Sequence, residues 1–192
     1  MKADRKSKTV EPFRDEKHIE RIKKVTYSNS RDHLLFVLGI NNGLRVSDLL
    51  RLKVGDVKDL KPGQTLHIRE VKTGKPNVVM INKVVHKALH RYLKEFQSSD
   101  DDYLFRSRKG ENNPLDKRSV HRLINKWADE AGVKGHFGTH SLRKTFGYIQ
   151  RIKFGVGYEI LAKRYNHSSP ATTMRYLGIT DDEVNGVLLN EI

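Results

Sequence analysis

The chain has no cysteine, one tryptophan and five prolines in 192 residues. Without cysteine there is neither a disulfide framework nor a thiolate metal site, an absence compatible with a reducing cytosol. No apolar run approaches the ~18 residues that a membrane span needs. The opening stretch, MKADRKSKTVEPFRDEK, is too polar for a secretory signal. Acidic residues are also scarce relative to basic ones: 23 Asp and Glu stand against 37 Lys and Arg, a net charge of +14. The excess runs along the whole chain rather than sitting in a tail. A domain of this sign and size is expected to meet a polyanion, with duplex DNA or RNA first. The competing reading is a solvated surface on a ribosome-associated protein.

What is present is enough for one domain with a core. DEKHIERIKKV places Ile19, Ile22 and Val25 at helical spacing. RDHLLFVLGI is apolar nearly all round and predicts a buried helix ending at NNG, with a short helix to follow through VSDLLRL. QTLHIREV and PNVVMIN are β-branched and joined by KTGK, so they predict a hairpin. KVVHKALHRYLKEF sets Val84, Val85, Ala88, Leu89, Tyr92, Leu93 and Phe96 on one helical face. DDYLF is a short buried piece and SRKGENNP a loop. LDKRSVHRLINKWADEAG repeats the helical pattern at Val120, Leu123, Ile124, Trp127, Ala128 and Ala131. The last third reads as three or four short helices. One starts near Thr139 and another spans about 157 to 165; a third opens on Ser169-Pro170. Thr180 with Glu183 fits a capping box for the last. The expectation is a mainly α domain with a small antiparallel sheet near residues 65 to 81, preceded by a flexible arm over residues 1 to 12.

Four places carry groups with chemistry in them. In GTHSLRKT, His140 and Arg143 share a helix face and can hold one phosphate, unless they are an ordinary basic turn. In NNGLRVSDLLRL, Arg45 follows a helix end; it either binds a ligand or pairs a nearby carboxylate such as Asp48. VKTGKP puts Lys72 and Lys75 in a hairpin turn, where a lysine can reach a DNA groove or a leaving oxygen, or simply be solvated. HSSPATTMRY spaces His167 and Tyr176 nine residues apart; the plain alternative is a capping histidine and a core-edge tyrosine. No spacing of His and Asp suggests a metal site.

Taken together and in order, these segments resemble the tyrosine recombinase (phage integrase) family. NNGLRVSDL resembles its TGLRISE-like stretch, HSLRKTF its H-x-L-R-x-(T/S) box, and YNHSSPATTMRY its LGHSS-x-x-T-T-x-x-Y box. Tyr165-Asn166 stands where that family usually has Leu-Gly. The resemblance covers residue 11 to the end and implies the DNA breaking-rejoining fold, with residues 13–192 as the catalytic domain. It also implies that Tyr176 attacks a phosphodiester to form a 3′-phosphotyrosyl link, and that Arg45 and Arg143 clamp the non-bridging oxygens. His140 would be the general base and His167 a donor to the phosphate. Lys72, with Lys75 as runner-up, would protonate the 5′-oxygen. No cofactor or metal is called for, because the arginines take the role that magnesium has elsewhere. The partner would be duplex DNA, bound as a homotetramer through a C-terminal helix bearing Val184, Val187, Leu188 and Ile192. Lys117, Arg118 and Arg122 are candidates for a basic helix face along it. Family members carry an N-terminal core-binding domain, which is expected to be absent from this chain. The expected setting is the cytoplasm, on the nucleoid, in a prokaryotic or phage-encoded protein. A non-cutting DNA-binding remnant and a type IB topoisomerase-like nicking-resealing enzyme are the alternatives.

Overall fold

The computed structural model describes residues 9–96, 98–178 and 185–191. The chain order is α1 (Glu16–Thr26), α2 (Ser30–Asn42), α3 (Val46–Leu49), α4 (Val54–Val57), β1 (Thr65–Arg69) and β2 (Pro76–Met80). Then come α5 (Lys83–Glu95), α6 (Lys117–Glu130), α7 (Thr139–Phe154), α8 (Tyr158–Tyr165) and α9 (Pro170–Leu177). Local chemistry sets many of the boundaries. Side chains of Asp15, Asn29, Asn82, Asp116 and Ser169 accept the free N–H groups that open α1, α2, α5, α6 and α9. Pro170 occupies the first turn of α9, where its missing N–H is harmless.

The helix that is apolar all round is the central one. Leu34, Leu35, Phe36, Val37 and Leu38 of α2 are all buried, and α1, α5 and α7 pack around it. β1 and β2 form an antiparallel pair, in register from Thr65 opposite Met80 to Arg69 opposite Pro76. Asn42 at the end of α2 ties this hairpin to the core: its side chain accepts from the N–H of Met80 and donates to the same residue's carbonyl.

Several expectations change. The helix that starts at Thr139 is not short; it runs 16 residues. Val54–Val57 forms a turn of helix that the apolar pattern did not announce. Val84 on α5 is exposed although it fits the apolar periodicity, and so is Phe96, which falls just past the helix end in extended backbone and so leaves the helical face. Of the expected arm, residues 1–8 lie outside the described residues, and the chain meets the rest of the fold at residues 10–12. The Glu11 N–H donates to the His136 carbonyl and Pro12 is buried. The next residue, Phe13, donates its N–H to Thr145 Oγ1 and stacks on Phe137 at 4.3 Å. At the other end, Thr180, Glu183, Val184 and Ile192 lie outside the described residues. Asn185 and Gly186 are α-helical and Val187–Leu189 follows as a 3₁₀ turn, with all three of its side chains exposed. No helix among the described residues is long and apolar enough to cross a membrane.

Candidate active site

The candidate groups converge where the end of α2, the start of α7, the β1–β2 turn and α9 meet. Gly43 ends α2 in the left-handed conformation, at φ 60°, and a methyl on it would overlap the Phe146 ring. That tight exit delivers Arg45 at the mouth of α3. A cleft of about 400 Å³ is lined by Arg45, Lys72, Lys117 and His140. Lys75 does not line it, and Arg122 faces a separate surface cavity with Arg31, Arg108 and Lys126. A larger groove, of about 940 Å³, runs between α1 and α5 and contains none of these groups.

Arg143 lies on α7 and is 2% exposed. Its Nη1 donates to the Gly43 carbonyl at 2.7 Å and its Nη2 to the Tyr165 carbonyl at 2.8 Å. The guanidinium lies 4.4 Å from the centroid of the Tyr165 ring, and the Tyr165 hydroxyl donates back to the Arg143 carbonyl at 2.7 Å. One side chain thus joins the first and third sequence boxes through their backbones. Tyr165 fits only because residue 147 is glycine: a methyl there would overlap its hydroxyl. Asn166, next in sequence, holds a left-handed α8 cap at φ 55°, the only such non-glycine among the described residues. Asparagine tolerates that conformation better than most residues do. The Tyr-Asn pair therefore ends α8 in the left-handed conformation and sets an aromatic floor under Arg143.

Tyr176 stands on α9 with its hydroxyl 3.2 Å from His140 Nδ1. Its ring meets Tyr165 at 5.6 Å and His167 at 5.3 Å, edge to face in both cases. Burial pushes its hydroxyl up to about 12, and the Arg143 and Arg45 charges offset only part of that shift. Desolvation lowers His140, and the nearby cations Arg143, Arg45, Lys144 and Lys72 lower it further. His167 is driven down to about 4 by desolvation, then by Arg143 and Arg45. Both imidazoles are therefore neutral near pH 7. His167 Nδ1 sits 2.9 Å from the fully buried Thr173 hydroxyl, so it is positioned by α9 rather than acting as a helix cap.

Arg45 does pair a carboxylate, but the partner is Glu70 and not Asp48. Its Nη1 donates to Glu70 Oε2 at 2.6 Å. Asp48 instead accepts the Val71 N–H at 2.8 Å. Glu70, Asn77 and Arg164 were not singled out from the sequence, and Tyr165 only as a departure from Leu-Gly, yet all four lie at or beneath the site. The signal for Glu70 was that it is the one acidic residue in the hairpin QTLHIREVKTGKPNVVMIN, two positions before the candidate lysine. Lys144 was also passed over. It is a mostly buried cation on α7 whose ammonium lies 5.1 Å from the Tyr176 ring centroid, and burial lowers it. Among the described residues no group of three or more His, Asp or Glu side chains is placed to hold a metal ion.

Comparison with known proteins identifies the family. The model of the phage integrase family matches residues 13–183. The chain is 36% identical over 176 residues to the probable integrase/recombinase YoeC of Bacillus subtilis, covering 90% of this chain and 92% of that protein. It is 32% identical over 153 residues to the tyrosine recombinase XerA of Pyrococcus horikoshii, covering 79% of this chain and 52% of XerA. It thus spans nearly all of YoeC but about half the length of the XerA relative. The crystal structure of a XerA recombinase superposes with a TM-score of 0.76 at 25% identity, over 94% of this chain and 63% of that one. A XerH recombinase structure shares the fold at a TM-score of 0.72 and 24% identity, over 90% of this chain and 49% of that one. The chain belongs to the phage integrase family, the tyrosine-type site-specific recombinases.

Proposed function

We propose that this chain cuts and rejoins duplex DNA through a 3′-phosphotyrosyl intermediate on Tyr176. The observation that carries the reading is the 3.2 Å approach of His140 Nδ1 to the Tyr176 hydroxyl, beside a cleft lined by Arg45 and Lys72. A tyrosine held up near 12 needs a base, and a neutral imidazole is one. His140 takes the phenolic proton as the Tyr176 oxygen bonds to phosphorus. The bond from phosphorus to the 5′-oxygen breaks, and Lys72 gives that oxygen its proton. Arg45 and Arg143 offset the charge that builds on the phosphoryl oxygens. With the Thr173 hydroxyl donating to Nδ1, His167 keeps its other nitrogen protonated and donates to the same group. A free 5′-hydroxyl from a second strand then displaces Tyr176, so the bond energy is conserved without ATP.

The +14 charge supplies largely sequence-blind DNA binding, weakened by salt. Lys117 at the cleft is the first DNA contact in this reading, with Arg118 and Arg122 further along α6 and Lys75 beyond the turn. A homotetramer on DNA, joined through the segment after Tyr176, fits the three exposed apolar side chains of Val187, Leu188 and Leu189.

The test is a covalent trap. The protein is incubated with nicked duplex DNA in EDTA and quenched with SDS, with Tyr176→Phe alongside. A protein–DNA adduct from wild type alone is the expected result, and sequencing its ends yields the site. No adduct from either protein would instead support a non-cutting DNA-binding module. Relaxed circles without joined sites would favour nicking and resealing.

A further inference from the structure

The turn that carries Lys72 is anchored on both sides of that lysine. The N–H of Val71 donates to Asp48 Oδ1 at 2.8 Å, and the Thr73 hydroxyl donates to Glu70 Oε2 at 2.5 Å. That same oxygen receives Nη1 of Arg45 at 2.6 Å. The other carboxylate oxygen accepts from Asn77 Nδ2 at 2.8 Å, and Asn77 Oδ1 accepts from Arg164 Nη1 at 2.6 Å. The backbone of Glu70 also closes the turn, accepting from Gly74 N–H and donating to the Lys75 carbonyl. The Glu70 side chain has no exposed surface.

A buried carboxylate is an expensive way to close a hairpin. Desolvation opposes it, and an apolar residue would serve as well or better for stability alone. Here burial by itself would raise the Glu70 carboxyl, but the bonds from Thr73, Asn77 and Arg45 outweigh it and hold it down to about 2. The group is therefore charged throughout the working range. Its arrangement is also specific, because one oxygen is shared between Arg45 and the residue next to Lys72. When a phosphate draws Arg45, the strain passes to Thr73 and so to the lysine.

We infer that Glu70 is a positioning residue that couples the Arg45 phosphate clamp to the hairpin carrying Lys72. It sets where the lysine ammonium stands relative to the scissile phosphate. Asn77, itself held by Arg164, holds the far oxygen, so the carboxylate cannot turn to serve Arg45 alone. The inference rests on the roles given above to Arg45 and Lys72.

The experiment uses nicked duplexes carrying the cleavage site recovered from the Tyr176 adduct, with either oxygen or sulfur bridging the scissile phosphorus and the 5′-carbon. A sulfur leaving group departs as the thiolate and needs no acid. Lys72→Ala is expected to be slow on oxygen and restored on sulfur. Glu70→Gln keeps the shape and removes the charge, and is expected to slow cleavage of the oxygen substrate by roughly 10–100-fold, the scale of a misplaced catalytic group. Most of that loss should vanish on sulfur, and the double variant Glu70→Gln/Lys72→Ala should be no slower than Lys72→Ala. Thr73→Ala leaves the Arg45–Glu70 pair in place and should show a smaller defect of the same kind, which keeps the test alive if Glu70→Gln folds poorly. An equal defect on both substrates, or additive single-variant losses, would overturn the coupling while leaving Lys72 as the acid. Failure of sulfur to restore Lys72→Ala would remove the parent assignment and the coupling together.

Discussion

The main core and the patch beneath Tyr176 are built by different means. From Phe13 to Leu142 the core is an apolar cluster around α2, in which burial of hydrocarbon does the stabilising, at about 25 cal/mol per Å² removed from water. The patch beneath Tyr176 has only Leu161, Tyr165 and Leu177 fully buried, with Phe146, Val156, Tyr158 and Tyr176 packed partly against them. A buried guanidinium, two carbonyls and the close approach at Gly147 complete it. The first region tolerates imprecision, because apolar contact is non-directional. The second does not, because each donor has one acceptor in one place. Stability and activity should therefore separate under mutation.

Arg143→Ala should produce the largest effect. It removes a phosphate donor, worth on the order of 10²–10³ in rate. It also leaves the Gly43 and Tyr165 carbonyls without their partner, at about 1–3 kcal/mol for each buried group. Arg143→Lys should recover little, since one ammonium cannot bridge two carbonyls in the plane of a fork. Single-turnover cleavage beside a urea melt measures both losses. Retained cleavage by the lysine variant would mean that the fork is unnecessary.

Next comes a paired test. Gly147→Ala forces Tyr165 and Leu177 to shift, the latter from an approach of 2.9 Å. Cleavage should fall by about 10²-fold, alongside a stability loss of about 1–3 kcal/mol from overpacking a filled site. Leu34→Ala, at the opposite end of α2, should lower stability by about 2–5 kcal/mol and leave the rate per folded molecule unchanged. If Gly147→Ala behaved like Leu34→Ala, the two regions would be one.

The pH response is smaller. The His140 base is lost on protonation, so cleavage should fall with an inflection below 6.5, and a His140→Gln variant should show no such inflection. His167 binds its proton near 4 in the folded chain and near 6.5 when unfolded. Between those values the unfolded chain holds more protons, so stability declines as pH drops from 6.5 to about 4. Melts of His167→Gln should show a shallower slope, the remainder coming from His140 and His33, which burial also lowers. The smallest change is expected from Tyr165→Phe, which removes one hydrogen bond to the Arg143 carbonyl and should lower stability by about 0.5–1.5 kcal/mol.

Much of this was legible beforehand, and the reasons differ by element. Helices α1, α2, α5 and α6 follow from apolar period and capping residues, both local properties. The four-residue α4 was not legible, because one turn of helix is shorter than the period that would reveal it. The six candidate groups could be named because they fall in short motifs with fixed order. Their placement in the structure brings Tyr176 to His140, and Arg45 and Lys72 to one cleft.

The partners of those groups were another matter. Glu70 lies 25 residues from Arg45, and Tyr165 lies 22 residues from Arg143. No local pattern specifies pairs at such separations. The sequence by itself determined the charge, the helix periods and the candidates for the reacting side chains, since each depends on residue type and near neighbours. Only the tertiary structure decided that Glu70 rather than Asp48 takes Arg45, that Tyr165 underlies Arg143, and that Lys72 rather than Lys75 reaches the cleft. Those choices depend on where the hairpin, α7 and α8 come to rest against one another, and packing settles that only when the whole core closes.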